Sequence, residues 1–213
     1  MKKRLILATC FITSGLATAA VPIDGWYTSV SGGLAYLPDH LSITSSNPLR
    51  THAEYLDGYN AGGSLGFKST PLRYEAEFTY LSARLERFRI SGLSQTGVSG
   101  YNHTGLAIAN IYYDLPAVIR TIEPFFGLGF GYGYIKDTFV STGPSGLTSN
   151  SASDSVFAYQ ATAGLTYNFA ETWALNLGYR YIATDKSDQF GKMLQAHLAN
   201  IGVIYRFDGS LYQ

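Results

Sequence analysis

The chain has 213 residues, with fifteen basic and fifteen acidic side chains and a formal net charge of zero. Aromatic residues make up 15% and charged residues only 14%, against about 25% charged in an average soluble domain. That balance excludes a basic nucleic-acid-binding face, and a single cysteine, Cys10, excludes an internal disulfide framework and a thiolate metal site.

Lys2, Lys3 and Arg4 precede an apolar run from Leu5 to Ile12, and Ala17-Thr18-Ala19 follows with the small-x-small pattern of a leader-peptidase site. Residues 1–19 therefore read as a secretory signal peptide, cut after Ala19 or Ala20. The apolar run is too short to anchor the chain across a bilayer. Leu7-Ala8-Thr9-Cys10 loosely resembles a lipoprotein cleavage site, but cutting there would leave almost no apolar segment. Residues 20–213 form one expected domain. Without the leader it carries twelve basic and fifteen acidic residues, net −3, and no cysteine.

Period-two alternation then marks eight segments. In the first, Trp26, Thr28, Val30, Leu34 and Tyr36 oppose Ser29, Ser31, Gly33 and Ala35. The second sets Tyr59, Ala61, Leu65 and Phe67 against Gly58, Asn60, Gly62, Ser64 and Gly66. The third sets Tyr74, Ala76, Phe78 and Tyr80 against Arg73, Glu75, Glu77 and Thr79. The fourth, from about Thr104 to Leu115, is blurred; Asn110, Tyr112 and Asp114 are assigned inward, and a bulge is expected there.

The fifth, Phe126 to Tyr134, places every large apolar side chain on one face and every glycine on the other. A phosphate-binding loop would need irregular glycine spacing and a following helix. The sixth opposes Phe157, Tyr159, Leu165 and Tyr167 to Gln160, Thr162, Gly164, Thr166 and Asn168. The seventh opposes Trp173, Leu175, Leu177, Tyr179 and Tyr181 to Asn176, Gly178 and Arg180. The eighth, Gln195 to Phe207, puts Ile201, Val203, Tyr205 and Phe207 on its apolar face.

A soluble barrel would turn these bulky faces inward and show water a surface made largely of glycine. A membrane barrel turns them to lipid and packs Gly, Ser, Thr and a few paired charges into a narrow lumen. The bulky faces lack charge at their centres, where Arg or Lys would cost about 2–4 kcal/mol each, and Tyr and Trp near strand ends would form interfacial girdles. Connections alternate in length. Lys68–Leu72 and Ala170–Thr172 are short and Pro116–Glu123 is intermediate, whereas Pro38–Glu54, Arg84–His103, Lys136–Asp154 and Ala183–Lys192 read as long loops. Short periplasmic turns alternating with long extracellular loops is the outer-membrane rhythm. The predicted fold is all-β, an eight-stranded antiparallel up-and-down transmembrane β-barrel, integral to the bacterial outer membrane with its loops extracellular.

The Gly-Trp-Tyr start, Arg73-Tyr74-Glu75-Ala76-Glu77, Gly178-Tyr179-Arg180-Tyr181 and the Ile-Gly-Val-Ile-Tyr-Arg-Phe ending resemble the opacity/OmpA-like eight-stranded outer-membrane surface proteins. The likeness spans the mature chain. It implies Gram-negative surface antigens, adhesins and membrane-stabilising proteins, and the domain plan leaves no room for a peptidoglycan-binding domain. Ile201, Val203, Tyr205 and Phe207 match the alternating signal read by the outer-membrane assembly machinery, and they also read simply as lipid-facing side chains. Members of the group usually end at that phenylalanine, whereas this chain continues through Asp208–Gln213.

Candidate chemistry is sparse. Lipid A deacylases of this size resemble serine hydrolases with a His-x-Ser pair on one strand face; here the segment is His197-Leu198-Ala199, and the nucleophile position holds alanine. His40, His52 and His103 fall in or beside expected loops. Glu75 and Glu77 share an inner face with Arg73, and with Arg180 and Arg206 also inward the expectation is a lumenal polar network of Arg73, Glu75, Glu77, Arg180 and Arg206, since buried charges need partners. No catalytic, cofactor-binding or metal-binding residue is assigned. Eight strands leave an interior just wide enough for side chains, so an open porin is not expected. The functional reading is a surface barrel with structural, antigenic and adhesive roles carried by four extracellular loops, the alternatives being a lipid A deacylase-like enzyme or a narrow channel. Expected partners are outer-membrane lipids and lipopolysaccharide, the assembly machinery and host surface molecules, with no nucleic acid.

Overall fold

The computed structural model describes residues 23–38, 40–43, 50–55, 58–90, 93–94, 96–119, 121–143, 146–185 and 193–207. The expected signal peptide and residues after Phe207 lie outside them. Among these residues eleven strands follow in chain order: β1 (Gly25–Tyr36), β2 (His40–Ile43), β3 (Arg50–Tyr55), β4 (Gly58–Ser69), β5 (Leu72–Ile90), β6 (Leu93–Ser94), β7 (Thr96–Asp114), β8 (Ile122–Gly143), β9 (Gly146–Asn168), β10 (Trp173–Thr184) and β11 (Gln195–Arg206).

Eight of them close a barrel in which every neighbour is antiparallel. The circuit runs β1-β4-β5-β7-β8-β9-β10-β11 and returns to β1. Closure removes sheet edges at membrane depth, where an unpaired backbone group would cost several kcal/mol. Following paired residues from Tyr36 through His197, Tyr181, Ala161, Leu128, Ile111, Tyr74 and Phe67 returns to β1 at Trp26, ten positions lower. That stagger tilts the strands against the barrel axis and sets the bore.

Alternation decides the faces. Leu128 and Phe130 are 67% and 65% exposed, while Asn110, Tyr112 and Asp114 on β7 point inward and are buried. So much exposed hydrocarbon would be a liability in water; facing lipid, it is what holds the barrel in place. The expected bulge is absent from the wall of β7, whose pairing with β8 is continuous from Ser99 to Asp114; the irregularity lies between Thr96 and Ser99.

The wall is uneven in height. β1, β4, β10 and β11 each have 12 residues, whereas β5 and β7 have 19, β8 has 22 and β9 has 23. This corrects the reading of Arg84–His103 and Lys136–Asp154 as loops. β8 and β9 stay in register up to Gly143 opposite Gly146, and β7 follows β8 up to Thr96 opposite Thr142. Once two strands are paired, each further residue joins a ladder already in place, and the Thr- and Val-containing stretch of β8 suits a strand. Pro38–Glu54 likewise contains β2 and most of β3, which add to the outer edge of β5. His40 and His52 therefore lie on strands. Of the Ala183–Lys192 connection, residues 186–192 fall outside the described set.

Candidate functional site

The lumen is layered. At the end bearing the long hairpins, Leu37, Leu81, Leu106, Ile108, Ile182 and Leu198 point inward and form a buried apolar cluster with interleaved alanines. The sequence suggested Gly, Ser, Thr and paired charges throughout the lumen; this section is hydrocarbon instead. Strands there are read by parity alone, and an inward leucine differs from an outward one only by its place in the register.

The middle layer centres on Glu77. Its carboxylate meets Arg180 Nη2 at 2.5 Å, accepts from Asn110 Nδ2 at 2.9 Å and Gln160 Nε2 at 3.3 Å, and accepts from the Thr79 hydroxyl. Gln160 Oε1 in turn accepts from Arg180 at 2.6 Å. The bare face of β8 makes this possible: a Cβ on Gly129 would collide with Asn110 Oδ1, and one on Gly127 would collide with the Tyr112 ring. The glycine–aromatic alternation thus does two jobs, presenting bulk to lipid and leaving room over which β7 side chains lie.

At the turn end, Lys68 lies 3.0 Å from Asp114 and 3.1 Å from Glu123, and Arg73 Nε donates to Asp114 at 2.8 Å. The Arg73 guanidinium also lies over the rings of Tyr112 and Phe125, 5.0 and 4.8 Å from their centroids. Arg206 donates to Asn168 Oδ1 at 2.6 Å. Glu75 accepts from the Tyr27 hydroxyl at 2.8 Å.

The five residues named from sequence all face the lumen, and Arg73, Glu75, Glu77 and Arg180 line one cavity there, each with its own direct partner. Arg180 joins Glu77; Arg73 joins Asp114; Arg206 joins Asn168; Glu75 joins Tyr27. The carboxylates and lysine that complete the arrangement, Asp114, Glu123 and Lys68, sit at the last inward positions of their strands, where alternation is hardest to tell from a turn. Tyr27 was missed because an aromatic residue reads as lipid-facing until its parity is counted from Trp26.

Between the two charged layers lies a cavity lined by Ser29, Ser64, Glu75, Thr162, Asn176 and Asn200, among others. Its volume is about 50 Å³, and one water needs roughly 10–15 Å³. Arg73 Nη2, Arg180 Nε, Thr162 Oγ1, Asn176 Oδ1 and Asn200 Oδ1 have no protein partner, and these five residues all line it. Buried polar atoms need partners, and a few waters would supply them.

On the outer face, Ile201 is 61% exposed, and Val203, Tyr205 and Phe207 follow it outward at every second position. Tyr205 packs between Trp173 and Phe207, with centroids at 4.8 and 5.4 Å. His197 also faces outward, paired in register with Tyr36 and Tyr181, and its Nδ1 lies 2.5 Å from the Tyr179 hydroxyl. The next outward position is Ala199, so this histidine has no serine beside it on its strand face. His103 is on β7, not in a loop; its Nδ1 lies 2.6 Å from the Tyr80 hydroxyl.

Comparison with known proteins agrees with this architecture. The family described as outer membrane protein beta-barrel domain matches residues 5–207. Neisserial surface protein A superposes with a TM-score of 0.54 at 15% identity, over 86% of this chain and 97% of its own. OprG from Pseudomonas aeruginosa gives 0.53 at 13% identity, over 87% and 99%. A major outer membrane protein from Thermus thermophilus gives 0.51 at 12% identity, over 85% and 99%. At such identities the likeness is one of fold. Uncharacterized proteins of Brucella abortus and Brucella suis are 33% identical over 91 residues, which is 40% of this chain, and the matched part spans 32% of their length. With a closed eight-stranded wall, an apolar outer face and a family match over nearly the whole chain, the protein belongs to the outer membrane protein beta-barrel family and is integral to the bacterial outer membrane.

Proposed function

We propose that the protein is a surface-display barrel: a rigid membrane plug that presents a raised β-wall for structural, antigenic and adhesive contacts. The observation that carries this reading is the uneven wall, in which β5, β7, β8 and β9 run seven to eleven residues longer than the strands opposite. In outer-membrane barrels the long connections face the cell exterior and the short turns the periplasm, so the raised wall would stand in the medium. Functional residues concentrate on such projections from a rigid scaffold. The name of Neisserial surface protein A is in keeping with this placement.

The competing readings have less support. A deacylase-like enzyme needs a nucleophile beside His197 and finds Ala199. A conducting channel has to pass the apolar cluster of Leu81, Leu106, Ile182 and Leu198. The alternating Ile201, Val203, Tyr205 and Phe207 would also serve the assembly machinery as a recognition segment.

The test replaces the upper part of the β8–β9 hairpin, residues 139–150, with a short turn. Cells carrying the trimmed protein should lose binding to host cells or matrix ligands while the barrel still folds in the outer membrane. Binding that survives trimming would remove the adhesive role, and altered lipid A acylation in a deletion strain would move the assignment to the enzyme.

A further inference from the structure

We propose that the turn joining β7 to β8 is immersed in the periplasm-side leaflet, with Val118 and Ile119 covered by lipid acyl chains instead of water. These two side chains are 75% and 61% exposed, and Leu115, which opens the turn, is exposed as well. Leu115-Pro116-Ala117-Val118-Ile119 carries no charge and no hydroxyl before Arg120 ends the run. The tip is held in place: Leu115 N donates to Pro124 O at 2.8 Å, Val118 N to Ile122 O at 3.1 Å and Ile122 N to Ile119 O at 2.8 Å. A turn tied by three such bonds presents its apolar side chains at a fixed place, and the lumen behind it is occupied by Lys68, Asp114 and Glu123.

The surface that this patch continues identifies its occupant. Leu115 follows Tyr113 at the next outward position of β7, and Ile122 and Pro124 precede Phe126 on the outward face of β8. Ile122 is paired with Tyr167 on β9 and bridges to Ile119. The outward position beyond Tyr167 is Phe169, which is exposed, with its ring centroid 6.3 Å from that of Tyr167. The lipid-facing wall therefore runs into the turn without a break. On β8 it spans seven outward positions, from Ile122 to Tyr134. On β4 and β10 it spans five, Tyr59 to Phe67 and Trp173 to Tyr181, and stops at Ser69 and Glu171.

Chemistry favours lipid over a protein partner. The other two turns described at this end are polar: Thr70 donates to Asp24 through its amide and its hydroxyl, at 3.0 and 2.7 Å, and Glu171 is exposed. At the β7–β8 tip the amides of Leu115, Val118 and Ile122 are spent within the hairpin. Among the described residues, the charges nearest in sequence are Asp114 and Glu123, which turn into the lumen and pair with Lys68. Aliphatic side chains without free donors beside them offer a specific partner little to recognise, whereas hydrocarbon asks for no hydrogen bond. A belt that is taller on one side draws the lipid boundary down that side. Immersion of the turn thereby fixes the angle at which the raised wall of β8 and β9 leaves the membrane.

The test places single spin labels on the mature chain, whose residues 20–213 contain no cysteine, refolded into phosphatidylethanolamine–phosphatidylglycerol vesicles. Ile119→Cys is the probe, Leu128→Cys marks the middle of the lipid-facing wall, and Ser69→Cys marks a polar turn. Collisions with oxygen, which concentrates in hydrocarbon, and with a water-soluble nickel chelate report the depth of each label. At Ile119 oxygen should dominate, as at Leu128, with an oxygen-to-nickel ratio severalfold above that at Ser69. Val118→Ser combined with Ile119→Ser should shift a Leu115→Cys label towards the nickel reading, and an unshifted label would remove these two residues as the anchor. Nickel access at Ile119 equal to that at Ser69 would overturn the proposal by placing the turn in water. Low access to both reagents would also overturn it, because a protein surface or a second copy would then cover the tip. The heat-sensitive electrophoretic shift confirms that each labelled barrel is folded, and Val118→Cys takes the place of an Ile119→Cys protein that fails that check.

Discussion

Arg180 on β10 reaches Glu77 on β5, the strand diametrically opposite in the circuit, with 2.5 Å between Nη2 and Oε1. A cross-lumen ion pair ties two walls that share no backbone hydrogen bond. Both side chains are buried, at 7% and 8% exposure, so each depends on the other for compensation.

Removing one member should therefore cost far more than removing both. Arg180→Met should destabilise the barrel by about 3–5 kcal/mol, the penalty for a stranded buried charge. The double variant Arg180→Met with Glu77→Gln should lose less than the sum of the single changes. Urea unfolding of protein refolded into liposomes measures all four corners of the cycle.

Glu75 should behave differently from Glu77, because the Tyr27 hydroxyl donates to it where Glu77 meets Arg180. Tyr27→Phe removes that donor from a buried carboxylate and should cost about 1–3 kcal/mol. Replacing Glu75 and Glu77 together should lower the unfolding temperature below that of either single variant; an unchanged temperature would remove their role in rigidifying the barrel.

The glycines of β8 supply a steric test. Gly129→Ala should be destabilising, by about 1–3 kcal/mol, because the new methyl overlaps Asn110 Oδ1 and crowds Ile108. Gly105→Ala should be nearly silent, since its nearest neighbours are Phe78 ring carbons at 3.7 and 3.8 Å. Folding yield, read from the heat-sensitive electrophoretic shift of barrels, separates the two.

The apolar layer makes a prediction about transport. Planar-bilayer recordings of the native protein should show no stable ohmic conductance, because ions would have to shed water among Leu81, Leu106, Ile182 and Leu198. Leu198→Ala should cost about 2–5 kcal/mol as a core truncation, a value out of keeping with a residue lining an open pore.

At the turn end, Lys68 lies between two carboxylates, Asp114 and Glu123. Lys68→Met would leave the two acids with less compensation and should be more harmful than Lys68→Arg, which keeps the charge. Refolding efficiency at neutral pH reports the difference.

Strand number, face assignment and membrane residence were legible in the one-dimensional pattern, because lipid imposes one rule on every outward position. Phe130 has to be apolar and Gly129 small whatever their neighbours are, and alternation records that rule directly. Arg73, Glu75, Glu77, Arg180 and Arg206 could be placed in the lumen for the same reason. Which of them meet could not be read, since lumenal contacts join strands far apart in sequence: Arg180 and Glu77 are brought together by the circuit, and Arg73 is given to Asp114 by the pairing of β5 with β7. The height of the wall was hidden for a related reason. The Ser-, Gly- and Thr-rich segments around 96–100 and 138–152 carry no sustained alternation of bulky and small residues, and their strand form depends on neighbours already aligned by the barrel beneath. Local chemistry determined what most residues would face, with Tyr27 and the inward leucines such as Leu198 as exceptions; closure of the barrel decided what each would touch.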